Sequence, residues 1–257
     1  LVLAEILVAA VAIHLGCNLQ NDVGGFRRGA DRFDRPGPQR ATTLGLLRPA
    51  TVQSVSLACF AIAVLAGIPL VVRGGWSIVA SGLSAIAAAA LYMAGPRPVA
   101  YTLTSEPLVF IFFGPVAVCG SAWLLGGLSI FSVPIAAGAV LGSIATAVLA
   151  VNNFRDRHAD RLAGRRTLAV RYGAPFCRNE YAVLVLTPFA LIGLLAALQY
   201  RVALALPLIA APAAWRLACR VAALDSGPAL NKVLVDTLKL HAATGVLLII
   251  AFLFAAE

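Results

Sequence analysis

The sequence predicts an all-α, multi-spanning transmembrane helical bundle, and three observations predict it. The 257 residues are 61% hydrophobic and only 12% charged, with mean hydropathy +0.91, whereas a soluble domain carries roughly 25% charged residues. So few charges cannot cover a water-facing surface, so lipid must solvate most of the chain. Eight apolar stretches approach the ~20 residues that a spanning helix needs, at about 1–17, 51–72, 76–94, 107–125, 130–151, 180–199, 202–220 and 238–255. Eighteen of the 20 basic residues fall in the connections near 18–50, 95–106, 152–179 and 216–239, leaving Arg73 and Arg201 for the others. Alternating helices put those four connections on one face, which the positive-inside rule makes cytoplasmic.

The first stretch, residues 1–17, has no basic leading region and no A-x-A-like exit, so it reads as a membrane helix rather than a signal peptide. The chain opens on Leu1 and its one methionine is Met93, so further chain is expected before it. The even spread of apolar stretches predicts a single domain over 1–257. No period of 20–50 residues repeats, but an apolar helix runs into an Asn/Asp/Arg-rich segment twice, at 18–48 and 152–178.

Several classes are excluded. The five cysteines (Cys17, Cys59, Cys119, Cys177, Cys219) are far apart, which argues against a disulfide framework or zinc site. No GxSxG, HExxH or Walker-type loop is present. Nothing resembles a nucleic-acid reading module, so the formal charge of +9 is assigned to an anionic substrate or to lipid headgroups.

The richest stretch runs from Asn152 to Asp160. Asn152, Asp156 and Asp160 recur at i, i+4, i+8 and so share one helix face. Acids at the end of a membrane helix are costly without a partner. One reading is a set of hard oxygen ligands of the kind Mg²⁺ takes while it also binds phosphate. The other is a solvated helix end laced with ion pairs to the interleaved Arg155, Arg157 and Arg161. His158 lies off this face and is expected towards solvent or phosphate.

Gly164-Arg165-Arg166 follows, a flexible glycine with two guanidinium groups suited to diphosphate or to anchoring the helix end. The earlier segment offers Asn18, Asn21 and Asp22, then Asp31, Asp34, Arg35 and Arg40, among glycines that allow tight turns. A third connection carries Arg97 and Tyr101, which are expected to face one cavity or to hold the loop, and Glu106.

These residues resemble the UbiA superfamily of membrane prenyltransferases. The second aspartate-rich motif matches Asn152-Asn153-x-Arg155-Asp156-x-x-x-Asp160 with Gly164-x-Arg166-Thr167-Leu168-Ala169-Val170-Arg171-x-Gly173. Asn18-Leu19-x-Asn21-Asp22, Gly29-x-Asp31-x-x-Asp34-Arg35-x-Gly37-Pro38-x-Arg40, Gly95-Pro96-Arg97-Pro98 and Phe110–Gly120 agree, in order along nearly the whole chain. Within the superfamily the resemblance is strongest to the branch that prenylates 1,4-dihydroxy-2-naphthoate for menaquinone.

The resemblance implies nine helices, of which one would lie before Leu1. It implies a polyprenyl diphosphate held through Mg²⁺ between two motifs, with its tail in a groove open to lipid, and an aromatic acceptor that loses CO₂. On that basis Asp156, Asp160 and Asp22 are the catalytic candidates. Asn18, Asn21, Asp22, Asn152, Asp156 and Asp160 are the metal candidates. Arg35, Arg40, Arg97, Tyr101, Arg165 and Arg166 are the substrate-binding ones. One departure stands out: Gly25 occupies the position where the family usually carries an aspartate, three residues after the Asn-Asp pair. Other acceptors (a benzoate, a homogentisate, a porphyrin, a glycerol phosphate), a non-catalytic relative and a transporter are the competing expectations.

Overall fold

The computed structural model describes residues 1–30, 37–126, 132–198 and 202–255. Among them there is no strand. The helices are α1 (Val2–Arg27), α2 (Pro49–Gly74), α3 (Trp76–Leu91), α4 (Ser105–Gly126), α5 (Ser132–Leu162), α6 (Leu168–Leu198), α7 (Val202–Ala222) and α8 (Ala229–Ala255). All but α3 are long and apolar enough to cross a membrane. Helix α3, with 16 residues, reaches about 24 Å at 1.5 Å per residue.

The eight apolar stretches and the eight helices coincide, but several ends differ. Helix α1 runs past Cys17 to Arg27, so Asn18, Asn21, Asp22 and Gly25 are helical, not loop. Helix α5 carries the whole Asn152–Asp160 run as its last turns. Helix α6 starts at Leu168 and is interrupted at Gly173, whose φ of 78° only glycine adopts at little cost. Helix α8 starts at Ala229, nine residues before its apolar stretch. The reason is common to all of these. Backbone hydrogen bonds continue a helix through polar residues at a membrane edge, whereas hydropathy marks only the part in lipid.

Contacts divide the chain into two compact units. One comprises Leu1–Ser105, Cys119–Ser129 and Ala159–Thr167; the other comprises Glu106–Val118, Ile130–His158 and Leu168–Glu257.

In the first unit α1 packs on α2 and α3. The Ser56 hydroxyl donates to the Gly16 carbonyl at 2.8 Å, and the Phe60 ring lies where a Cβ on Gly16 would go. Leu3, Leu7, Val11 and Leu15 of α1 and Leu57, Leu65, Ile68 and Val72 of α2 stay exposed, an apolar surface of the kind that lipid covers.

In the second unit Val140, Ile144, Ala147, Val151 and Phe154 make one stripe of α5. It packs with Cys177, Tyr181, Val185 and Phe189 of α6, Leu217 and Val221 of α7, and Leu230 and Val233 of α8. The stripe follows the 3–4 residue recurrence of a helix face.

Helix α4 contains a π-turn over Phe112–Val116, with Pro115 inside and Gly114 off helical geometry. Here α4 meets α5 backbone to backbone. A Cβ on Gly114 would lie 2.5 Å from the Gly138 carbonyl, and one on Gly142 would lie 2.6 Å from that of Phe110. Gly138 and Gly142 are a small-x-x-x-small pair, the device that lets membrane helices approach closely.

Candidate active site

In the first unit the polar end is built on the end of α1. The helix closes with Gly29 at φ 62°, the Gly29 N–H bonding to Phe26 O and the Ala30 N–H to Gly25 O. This is the paired capping pattern that favours a left-handed glycine.

Asp22 is buried and accepts a hydrogen bond from the Thr42 hydroxyl, with Thr42 itself buried. Asn21 is half-buried; Asn18 is exposed, its amide 3.1 Å from the His14 ring nitrogen Nε2. Counting from Asn21 as from Asn152, the fourth residue on is Gly25 against Asp156, and the eighth is Gly29 against Asp160. The first segment thus ends its helix one turn earlier and keeps one described carboxylate, Asp22, on a neighbouring face. Arg40 is half-buried. Arg35, Asp31 and Asp34 lie outside the described residues.

The connection after α3 folds against this end. The Arg28 guanidinium donates to Met93 O at 2.8 Å and Gly95 O at 2.5 Å. It also lies 5.9 Å from the Tyr101 ring centre. Arg165 sits closer to the same ring, at 4.9 Å, and reaches Asp160 at 3.3 Å, while the Arg166 N–H bonds to Tyr101 O. Tyr101 is therefore a platform for Arg28 and Arg165; Arg97 and the Arg166 side chain are exposed. The Tyr101 hydroxyl is buried and has no hydrogen-bond partner among the described residues. Gly164, at φ 74°, turns the chain after α5 by the same paired bonds: Gly164 N–H to Arg161 O and Arg165 N–H to Asp160 O.

In the second unit the motif is tightly bonded. Asp156 is 3% exposed, and both its oxygens accept from Arg155, Nε and one terminal nitrogen at 2.8 Å each. That terminal nitrogen also reaches Asn152 Oδ1 at 2.7 Å, and the other donates to Asn231 Oδ1 at 2.9 Å. The ion pair anticipated for a solvated helix end exists, but it is buried. Its oxygens converge on one positive centre, as ligands of a cation would.

Asn153 points elsewhere, donating to Glu106 Oε1 at 2.7 Å. Glu180 of α6 lies near enough to Glu106 for the two carboxyl groups to interact. Arg157 turns away from Asp156 towards Asp225, at 3.5 Å, and His158, whose ring is exposed as expected.

Asn231, Thr42 and Arg28 were not singled out by sequence reasoning, and Glu106 was placed in a loop without a partner. No spacing pattern links Asn231 to a residue 76 positions away. For Glu106, the signal was present: an acid beside an apolar helix. No group of three or more His, Cys, Asp or Glu side chains suited to a metal gathers among the described residues. Beside Asp156, the oxygens on the Arg155 guanidinium are the amide oxygens of Asn152 and Asn231.

Known proteins identify the family. The UbiA prenyltransferase family model matches residues 1–243. A 1,4-dihydroxy-2-naphthoate octaprenyltransferase of Mycobacterium tuberculosis is 36% identical over 236 residues, covering 90% of this chain and 78% of its own length. That of Escherichia coli is 33% identical over 187 residues, covering 70% and 60%. The human UbiA prenyltransferase domain-containing protein 1 is 30% identical over 255 residues, covering 96% and 72%. The chain is a multi-pass integral membrane protein, with seven helices long and apolar enough to span among the described residues, and it belongs to the UbiA prenyltransferase family.

Proposed function

We propose that the chain transfers a polyprenyl group from its diphosphate to a ring carbon of 1,4-dihydroxy-2-naphthoate, with loss of CO₂ and diphosphate, as a step towards menaquinone. The acceptor reading is supported by the naphthoate octaprenyltransferases among its relatives. The chemistry rests on one observation: oxygens of Asn152 and Asp156 at the end of α5 and of Asn231 at the start of α8 all bond to one cation, the Arg155 guanidinium.

The oxygens of Asn152 and Asp156 suit Mg²⁺, which needs only one or two carboxylates when phosphate oxygens and water complete its shell. Asn152, Asp156 and Asp160 would hold Mg²⁺ on one motif; on the other, Asn18, Asn21 and Asp22 would hold Mg²⁺, with Gly25 contributing nothing. The chemistry that Mg²⁺ would supply when bound is neutralisation of the charge on the leaving diphosphate.

The chain's own residues do the rest. Arg165, held over Tyr101 and against Asp160, presents a fixed guanidinium to the leaving diphosphate. Arg166 and Arg97, both exposed, together with Arg40 and Arg35, gather the anionic groups of the two substrates. The basic connections face the cytoplasm, where a diphosphate substrate is delivered. The apolar helix surfaces lodge the polyprenyl tail beside membrane lipid.

The test is prenyl transfer in membranes bearing the chain. Labelled polyprenyl diphosphate is supplied with 1,4-dihydroxy-2-naphthoate or with a benzoate or homogentisate, with and without chelator. Prenylated naphthoquinol that disappears with chelator and returns with Mg²⁺ supports the reading. A product only from another acceptor contradicts the naphthoate assignment. No product from any acceptor favours the non-catalytic alternative that Gly25 suggests.

A further inference from the structure

The Arg155 guanidinium occupies the position at which oxygens of the second motif converge. It grips both oxygens of Asp156 and Oδ1 of Asn152, and its remaining terminal nitrogen is fixed by Asn231 in the first turn of α8. Asp156 and Arg155 are each 3% exposed. A carboxylate buried so deeply is strongly unfavourable without a positive partner. A divalent cation using the same oxygens of Asp156 and Asn152 would compete with the guanidinium for them, and the two positive charges would repel each other at that distance.

We propose that Arg155 is the built-in counter-cation of the metal-free site, that Asn231 clamps it there, and that metal and diphosphate together release it. A divalent cation arriving alone must displace the guanidinium from Asp156 and Asn152 without bringing it another anion. With diphosphate present, the guanidinium exchanges one anion for another and keeps charge-assisted hydrogen bonds. Because Arg155 adjoins Asp156 in the chain, side-chain rotation alone achieves the exchange. The device makes metal binding depend on diphosphate, so that a bare metal site is avoided. It rests on the reading of Asn152 and Asp156 as metal ligands.

The test is Mn²⁺ binding to the purified full chain in detergent, followed by the electron paramagnetic resonance of free Mn²⁺, without and with inorganic diphosphate. The wild-type chain should bind Mn²⁺ weakly alone and more tightly with diphosphate. Arg155→Met should bind Mn²⁺ alone about tenfold tighter, the equivalent of one lost competing charged hydrogen bond, and diphosphate should add little. Mn²⁺ affinity that is unchanged or weaker in Arg155→Met, in protein that melts like the wild type, would overturn the proposal. Asn231→Ala keeps the ion pair and removes only the clamp. It should move affinity in the same direction by about twofold to threefold, and no movement also overturns the proposal. Asp156→Asn separates the two levels of the argument. Undiminished Mn²⁺ binding in that variant with diphosphate removes the ligand assignment itself, whatever Arg155 does.

Discussion

The Asn153 side-chain amide donates to Glu106 Oε1 at 2.7 Å, tying the motif on α5 to the start of α4. Both residues are buried, at 4% and 3% exposure. Asn152 thereby serves the cation position while its neighbour Asn153 anchors the helix that carries it.

Removing the acceptor strands a buried donor, which costs about 1–3 kcal/mol. Glu106→Ala should lower the melting temperature of the solubilised protein, and Glu106→Gln, which still offers a carbonyl oxygen to Asn153, should recover most of the loss. Equal losses in both variants would show that the bond does not hold the motif.

The contact of α4 with α5 gives a second prediction. A methyl group at Gly138 or Gly142 would sit within 2.8 Å of opposing backbone atoms, whereas one at Gly120 meets nothing within 4 Å. Gly142→Ala and Gly138→Ala should each destabilise by about 1–3 kcal/mol through overpacking. Gly120→Ala should be neutral or slightly stabilising in the same melting assay. Indistinguishable melting of the three variants would contradict the close approach.

Tyr101 supplies a third prediction. Its ring faces the Arg165 guanidinium at 4.9 Å, an interaction worth about 0.5–2 kcal/mol. Tyr101→Leu should therefore raise the KM for polyprenyl diphosphate by about twofold to thirtyfold, and Tyr101→Phe, which keeps the ring, should raise it less. A Phe variant as impaired as the Leu variant would shift the role from the ring to the buried hydroxyl.

The bundle was legible because lipid demands long apolar helices, and the stretches at 51–72 and 107–125 lie inside α2 and α4. The i, i+4, i+8 spacing of Asn152, Asp156 and Asp160 put them on one helix, and they lie together at the end of α5. What was illegible is pairing over distance. Hydropathy carries no information that joins Asn231 to Arg155, Thr42 to Asp22 or Glu106 to Asn153. Gly138 and Gly142 were not singled out from the sequence, and their partner Gly114 emerges only where the π-turn brings α4 against them. Hydropathy also misplaced the start of α8. Lys232 and Asp236 read as loop, yet Leu230 and Val233 in the same turns are buried in the core.

The central claim is that Asp156 belongs to the machinery of prenyl transfer and is not only an internal ion-pair partner. Its most direct test is the Mg²⁺-dependent rate at which membranes bearing Asp156→Asn convert labelled polyprenyl diphosphate and 1,4-dihydroxy-2-naphthoate into prenylated product, compared with the wild type at equal protein. The asparagine keeps the shape and an acceptor for Arg155 while removing the charge. Asp156→Asn should lose at least a hundredfold in rate, or about 2.7 kcal/mol of transition-state stabilisation, in a protein that remains inserted and folded. Turnover within a few fold of the wild type would contradict the central claim.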